Sequence, residues 1–213
     1  MAIKILKNFF KRIFHNLFKN KKEIKLGFYG PPNAGKTSLA NRICKDFTGE
    51  EIGNVSKIPH ETRKVQFKEK VEIKYGGKSM TFKIIDTPGI TTKIDYEDFL
   101  KYRIKKSEAK IRAKEATQGV IESIKWLDDM DLVVIVLDAT ENPYNQVNIT
   151  IIGNLVARKI PVLIAANKID LKKADIKKIE AAFPEYEVIG ISAKHGKNIE
   201  EFYESLFRTS KKF

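Results

Sequence analysis

Gly30-Pro31-Pro32-Asn33-Ala34-Gly35-Lys36-Thr37 decides how this 213-residue chain is read. The stretch has the spacing GxxxxGK[ST] of a phosphate-binding loop. Gly30 and Gly35 let the backbone wrap closely around an anion and accept positive φ. The loop N–H groups then form a nest, and the following helix adds its positive N-terminal end. Lys36 is expected to reach the outer phosphates and the Thr37 hydroxyl to meet Mg²⁺. Gly30, Asn33, Ala34, Gly35, Lys36, Thr37 and Ser38 are therefore the candidate phosphate-binding residues. The flanks fit a strand–loop–helix unit. Residues 23–29 alternate as a strand, and Ser38 to Cys44 has helical spacing, with Leu39 and Ile43 four apart. A plain Gly/Pro turn is the competing reading, and the flanks speak against it.

Downstream, strand and helix patterns alternate. Residues 50–63 are polar and weakly periodic, which suits a movable loop. Two strand segments, 64–67 and 71–75, turn at Gly76-Gly77 into a returning strand, Met80 to Ile85. That strand ends in Asp86-Thr87-Pro88-Gly89, which places a carboxylate at a strand tip beside the phosphate loop, as Mg²⁺ requires. Gly89 can offer a bare backbone N–H to a terminal phosphate. Further strands are expected over 131–138, 160–166 and 187–191, with helices between and after them. The pattern predicts an α/β fold, a mostly parallel sheet with one antiparallel strand and helices on both faces. Ligand loops then gather at the carboxyl ends of the strands.

Composition narrows the class. Hydrophobic residues make up 42% of the chain, enough for a full core. The lone Cys44 allows no disulfide framework, fits a reducing, cytoplasmic setting and reads as a buried structural thiol. The apolar runs are too short to span a bilayer. The net charge of +13 is concentrated: residues 1–22 carry seven Lys and Arg and no acid, and residues 93–114 carry eight against four acids. Polyanion contact is expected at these two places.

Residues 1–22 form a unit of their own, separate from a domain over 23–213. Ile3, Leu6, Phe9, Phe10, Ile13, Phe14, Leu17 and Phe18 recur at helical steps between lysines and an arginine. This predicts an amphipathic helix with an aromatic face and a basic face. It can lie peripherally in an anionic membrane surface at the inner face, bind RNA, or dock onto the domain. The tract at about 93–127 is expected to be an extended basic helix. Phe99, Tyr102, Ala109, Ala113, Ala116, Val120, Ile124 and Leu127 form its stripe, with Lys106 and Gly119 as weak points. The second reading is a loop followed by a helix from about Lys114.

The base is read by Asn167-Lys168-Ile169-Asp170. Asp170 can accept hydrogen bonds from guanine N1–H and the 2-amino group, and adenine offers no such pair. The Lys168 stem can cover the ring, Asn167 can brace the phosphate loop, and the Ala193 N–H of Ser192-Ala193-Lys194 can meet the guanine carbonyl. In order, Gly30–Thr37, Thr62, Asp86–Gly89, Asn167–Asp170 and Ser192–Lys194 resemble the five motifs of translation-factor-class P-loop GTPases. Pro32 to Lys36 and Glu61-Thr62-Arg63 look most like the Era/Der/TrmE group.

That resemblance implies a GTP/GDP-binding, slowly hydrolysing switch that uses Mg²⁺. Thr37, Thr62 and Asp86 would surround the Mg²⁺, and Lys36, Thr62 and Gly89 would carry the catalytic contacts. Asn33 matches the position where some members hold K⁺. Ile90 stands where Ras-like proteins have glutamine, so hydrolysis should need K⁺, dimerisation or a partner. The resemblance also suggests ribosome or RNA processes and a nucleotide-dependent homodimer. No C-terminal RNA-binding domain is expected, since the sequence stops at Phe213. His60 is read as a solvated loop histidine, with water positioning as the second reading, and His195 as an exposed turn residue.

Overall fold

The computed structural model describes residues 23–56, 58 and 60–210. The helix expected over 1–22 lies outside them. The chain forms β1 (Ile24–Tyr29), α1 (Lys36–Thr48), β2 (Gln66–Tyr75), β3 (Lys78–Asp86), α2 (Tyr96–Leu100) and α3 (Lys106–Trp126). A 3₁₀ turn at Leu127–Asp129 leads into β4 (Leu132–Asp138), α4 (Gln146–Ala157), β5 (Val162–Asn167), α5 (Ile176–Ala182), β6 (Glu187–Gly190) and α6 (Ile199–Ser210).

The six strands run in the order β2-β3-β1-β4-β5-β6. All neighbours are parallel except β2 and β3. The expected mostly parallel sheet with one antiparallel strand is therefore present. The central strands are apolar on both faces because helices cover both. In β4, Leu132, Val134 and Val136 join Leu39 and Ile43 of α1 and Phe202, Leu206 and Phe207 of α6. The alternate residues Val133, Ile135 and Leu137 join Ile151 and Leu155 of α4, Ile179 of α5 and the Leu127 region. Each such buried Leu, Ile or Phe contributes about 1.5–3 kcal/mol before ordering costs. Cys44 lies in the first of these layers, fully buried, and burial pushes its thiol up to about 11, as expected of a structural residue.

The two segments expected at 64–67 and 71–75 are one strand, β2. A bulge between Lys68 and Val71, with Lys70 at φ 54°, shifts its register against β3. The shift turns Val71 and Ile73 inward and leaves lysines and glutamates outward. This strand forms one edge of the sheet, and the four-residue β6 forms the other.

The largest correction concerns the tract after Gly89. It is not one helix from 96 to 127, nor a loop followed by a helix from Lys114. The five-residue α2 stops, the chain turns, and α3 begins at Lys106. Tyr102 and Arg103 close the end of α2 with N–H bonds to Phe99 and Leu100 oxygens, and Arg103 takes the left-handed conformation at φ 61°. This reverses the chain and folds α2 back on α3. Phe99 and Ala109 are buried, so the apolar stripe serves a helical hairpin and not a rod. Tyr102, placed in the stripe by its spacing, is exposed at the corner.

Candidate functional site

The carboxyl ends of β1, β3, β5 and β6 open onto one cavity of about 490 Å³. Its lining runs from Thr62 and Gly89 at one end, past Gly35–Ser38, to Asn167, Lys168, Asp170, Ser192 and Lys194 at the other. Every loop singled out by sequence contributes to it.

The phosphate loop is built for an anion. Gly35 caps α1 at φ 98° with no side-chain partner for the helix N–H groups, and the first turn carries no acid. A Cβ on Gly35 would also sit 2.2 Å from Asn167 Nδ2. Asn33 stands at the loop tip at φ 59°. Lys36 is buried, and its ammonium donates to the Gly30 and Pro31 carbonyls at 3.2 and 2.9 Å. Burial pulls it down to about 8, against the opposing pull of Asp86.

At the outer-phosphate end, Thr37 Oγ1 donates to Asp86 Oδ2 at 2.6 Å and lies 3.0 Å from Thr62 Oγ1. Thr37 has one hydroxyl proton and Asp86 takes it, so Thr62 donates to Thr37. Asp86 is fully buried, and its Oδ1 has no hydrogen-bond partner. Burial raises the carboxyl to about 6, with the Thr37 hydroxyl and Lys36 pulling the other way. Two hydroxyls and a carboxylate with an unspent oxygen form a hard donor set that fits Mg²⁺. Gly89 is seated against Pro32, and the next residue, Ile90, is buried and donates its N–H to the Gly30 oxygen at 3.1 Å.

His60 departs from its reading as a solvated loop residue. It takes φ 57°, packs 6.2 Å from the Phe99 ring, and its Nδ1 is buried without a partner. Burial and the nearby Lys36 ammonium lower it to about 4, with Asp98 opposing. It also lines a second cavity of about 260 Å³ beside Pro32, Lys93 and Asp98.

The base end is stitched together by Asn167. Its Nδ2 donates to the Ala34 oxygen at 2.9 Å, and its Oδ1 accepts the Ala193 N–H at 3.0 Å. The first contact matches the expected brace. The second engages the same Ala193 N–H that the sequence reading offers to the guanine carbonyl. Lys168 takes φ 69° and pairs with Asp138 at the tip of β4. Despite burial, this ammonium and Thr140 hold the Asp138 carboxyl below its usual range. The Ser192 hydroxyl holds the Asp170 carboxyl below its usual range, with smaller help from His195 and Lys194. His195 Nε2 stands 3.6 Å from Asp170 and is largely exposed, as expected.

Several contacts escaped the sequence reading. Glu61 and Arg63, flanking Thr62, pair with Arg112 at 3.6 Å and Glu115 at 2.6 Å on α3. Gly119 presses on both phosphate-facing loops, and a Cβ there would lie 2.6 Å from the Arg63 oxygen and 3.0 Å from Pro88. Ser123 Oγ donates to the Pro88 oxygen at 3.2 Å. A glycine inside a helical pattern, otherwise unfavourable by about 1 kcal/mol, was the available signal for this contact.

The profile of the family described as 50S ribosome-binding GTPase matches residues 25–168. GTPase Der of Marinomonas sp. is 29% identical over 196 residues, covering 87% of this chain and 38% of that protein. Era from Aquifex aeolicus, in a variant bound to GDP·AlF4⁻, superposes with TM-score 0.66 at 22% identity, covering 89% of this chain and 57% of that one. Era in complex with MgGDPNP and nucleotides 1506–1542 of 16S ribosomal RNA gives TM-score 0.65 at 22% identity, with the same coverage. The chain thus spans well under half of the Der relative and just over half of the Era chains.

Proposed function

The chain belongs to the family of 50S ribosome-binding GTPases, and from that premise we propose that it binds GTP with Mg²⁺ and hydrolyses it slowly, as a switch. One observation carries this reading. Thr37, Thr62 and Asp86 converge within hydrogen-bond distance at one end of a cavity whose other end holds Asn167 and Asp170.

In this reading the guanine edge meets Asp170, whose carboxylate accepts its two donors. The loop N–H groups from Asn33 to Ser38 surround the phosphates. Lys36 exchanges the Gly30 and Pro31 carbonyls for β- and γ-phosphate oxygens. Thr37, Thr62 and Asp86 hold Mg²⁺, which neutralises charge on the phosphates when bound. Water attacks the γ-phosphorus, the bond to the β-phosphate oxygen breaks, and GDP and phosphate leave. The contacts that order Thr62 and Gly89 are then lost. Ile90 is buried and apolar, so it cannot orient the water as glutamine does in Ras-type enzymes. Rapid turnover therefore needs outside help, from K⁺ near Asn33, a second copy or a partner. The switch works in the cytoplasm on a ribosome- or RNA-related task, as suggested by the relatives' names. Attachment to a membrane surface through residues 1–22 rests on the sequence pattern alone.

Single-turnover hydrolysis of GTP and of ATP, in K⁺ and in Na⁺, tests the reading in wild type and Asn33→Ala. The expected result is GTP-specific turnover that Asp170→Ala abolishes through lost affinity. Equal rates for both proteins in both salts would remove K⁺ from the mechanism. Equal affinity for GTP and ATP would overturn the assignment of the base site.

A further inference from the structure

Helix α3 has two working sides. Its inner side is fastened to both loops that face the outer phosphate, through Arg63–Glu115, Glu61–Arg112, the Gly119 contact with the Arg63 carbonyl, and Ser123 to Pro88. Its outer side carries Lys106, Lys110, Lys114 and Lys125, all exposed. None of these four has a carboxylate partner within ion-pair distance among the described residues. Two of the helix's three acids are engaged elsewhere, Glu108 with Arg112 and Glu115 with Arg63, so only Glu122 is left against the four lysines.

Lys106, Lys110 and Lys114 recur every four residues, a rise of about 6 Å per step. Lys106 and Lys110 converge on the Tyr96 ring, with their ammonium groups 5.9 and 5.6 Å from its centroid. At the corner where α2 meets α3, Tyr102 stands 41% exposed beside Arg103 and Lys105. A row of cations next to an exposed aromatic is the chemistry that follows a single-stranded phosphodiester backbone and stacks a base.

Other occupants fit less well. A second copy of this face would bring like charges together. A bilayer needs a continuous apolar face. Here Ile111 and Ile121, 59% and 52% exposed, stand ten residues apart among lysines and polar side chains.

We propose that the outer side of α3, with the corner at Tyr102–Lys105, is a docking surface for single-stranded RNA, and that its affinity changes with the bound nucleotide. The surface stands on charge and exposure. Only the nucleotide dependence rests on the switch reading above. When the γ-phosphate orders Thr62 and Gly89, the seat of α3 shifts with them, and the lysine row shifts with the helix.

The test is fluorescence anisotropy of a labelled 20-nucleotide RNA of mixed sequence with the full chain, in GDP and in a non-hydrolysable GTP analogue. The triple variant Lys106→Glu, Lys110→Glu, Lys114→Glu should bind at least tenfold more weakly, with the log–log salt slope reduced by about 2, from about 0.7 per lost phosphate contact. Unchanged GDP affinity in that variant reports an intact fold. Gly119→Ala should bring the ratio of RNA affinities in the two nucleotides toward one. RNA affinity and salt slope unmoved by the triple variant would overturn the surface. So would loss of binding to vesicles containing anionic lipid while RNA binding stays intact. A wild-type ratio of one between the nucleotides would overturn the coupling. Wild type that fails to hydrolyse GTP in parallel would count against the switch reading, while the lysine comparison still reads the surface.

Discussion

The two ends of the cavity are built differently. The base end is closed by direct bonds between distant segments: Asn167 joins Ala34 to Ala193, and Ile169 N–H meets the Ile191 oxygen at 3.2 Å. Those bonds lie within the protein itself and tie the three loops of this end together. The outer-phosphate end gathers buried charge that is only partly answered. Asp86 keeps an unpaired oxygen, Lys36 leans on carbonyls, and His60 has a buried nitrogen without partner. Such a region gains most when a charged ligand arrives. In the proposed reading, the base is met by loops already braced to one another, and the outer phosphate by charged groups still short of partners.

Breaking the braced end should have the largest effect. Asn167→Ala leaves the Ala34 carbonyl and the Ala193 N–H unpaired, at about 1–3 kcal/mol each. Thermal unfolding should show a clear drop in stability, and titration with labelled GDP at least a hundredfold loss of affinity.

The outer-phosphate end should respond in the opposite sense. A carboxyl held at about 6 instead of 3.8 corresponds to about 3 kcal/mol against the buried anion. Asp86→Asn should therefore raise the melting temperature of the nucleotide-free protein while removing the Mg²⁺ dependence of GTP-analogue binding. A lower melting temperature would show that the carboxylate's bond to Thr37 outweighs its burial.

Gly119→Ala joins the two tests. Its methyl group must displace the Arg63 carbonyl or the helix, at about 1–3 kcal/mol. GTP-analogue affinity should fall more than GDP affinity, because only the former needs Thr62 in place.

Acidification sharpens the comparison further. Asp86 binds its proton more tightly folded than unfolded, so its contribution is full below about 3.8 and is lost as pH rises through about 6. His60 binds its proton less tightly when folded. Its contribution is full above about 6.5 and is lost as pH falls toward about 4. The two oppose each other in one window. Between pH 7 and 4, Asp86→Asn should lose more stability than wild type and His60→Ala less, as melting curves at stepped pH would show.

The smallest effect is expected at Glu115→Gln. The Arg63–Glu115 pair is part-exposed, so its loss should change stability by less than about 1 kcal/mol. Its value lies in position, and hydrolysis should change more than unfolding does.

The sheet and the base end were legible in the sequence because each rests on local spelling. Strand periodicity and NKxD are short, and each element presents its own residues at a strand end. The outer-phosphate end was legible only as a list. Thr37, Thr62 and Asp86 could be named, but the seating of Glu61, Arg63 and Pro88 on α3 joins segments 31 to 56 residues apart, which no local pattern records. The hairpin of α2 and α3 was missed because its apolar stripe keeps nearly the same spacing through the turn. Only Arg103 at positive φ breaks it, and arginine gives no warning of that conformation. His60 was misread because burial depends on Phe99, which lies on a different element.

The bulge in β2 has a consequence for how copies of this chain can meet. An exposed sheet edge is a template for strand addition and for aggregation. Here one edge is kinked at Lys68–Val71 and lined with alternating lysine and glutamate, and the other edge is four residues long. Neither offers a flat run of free N–H and C=O groups for a neighbour to extend. Among the described strands, a polymer or a dimer formed by continuing this sheet is disfavoured at both ends.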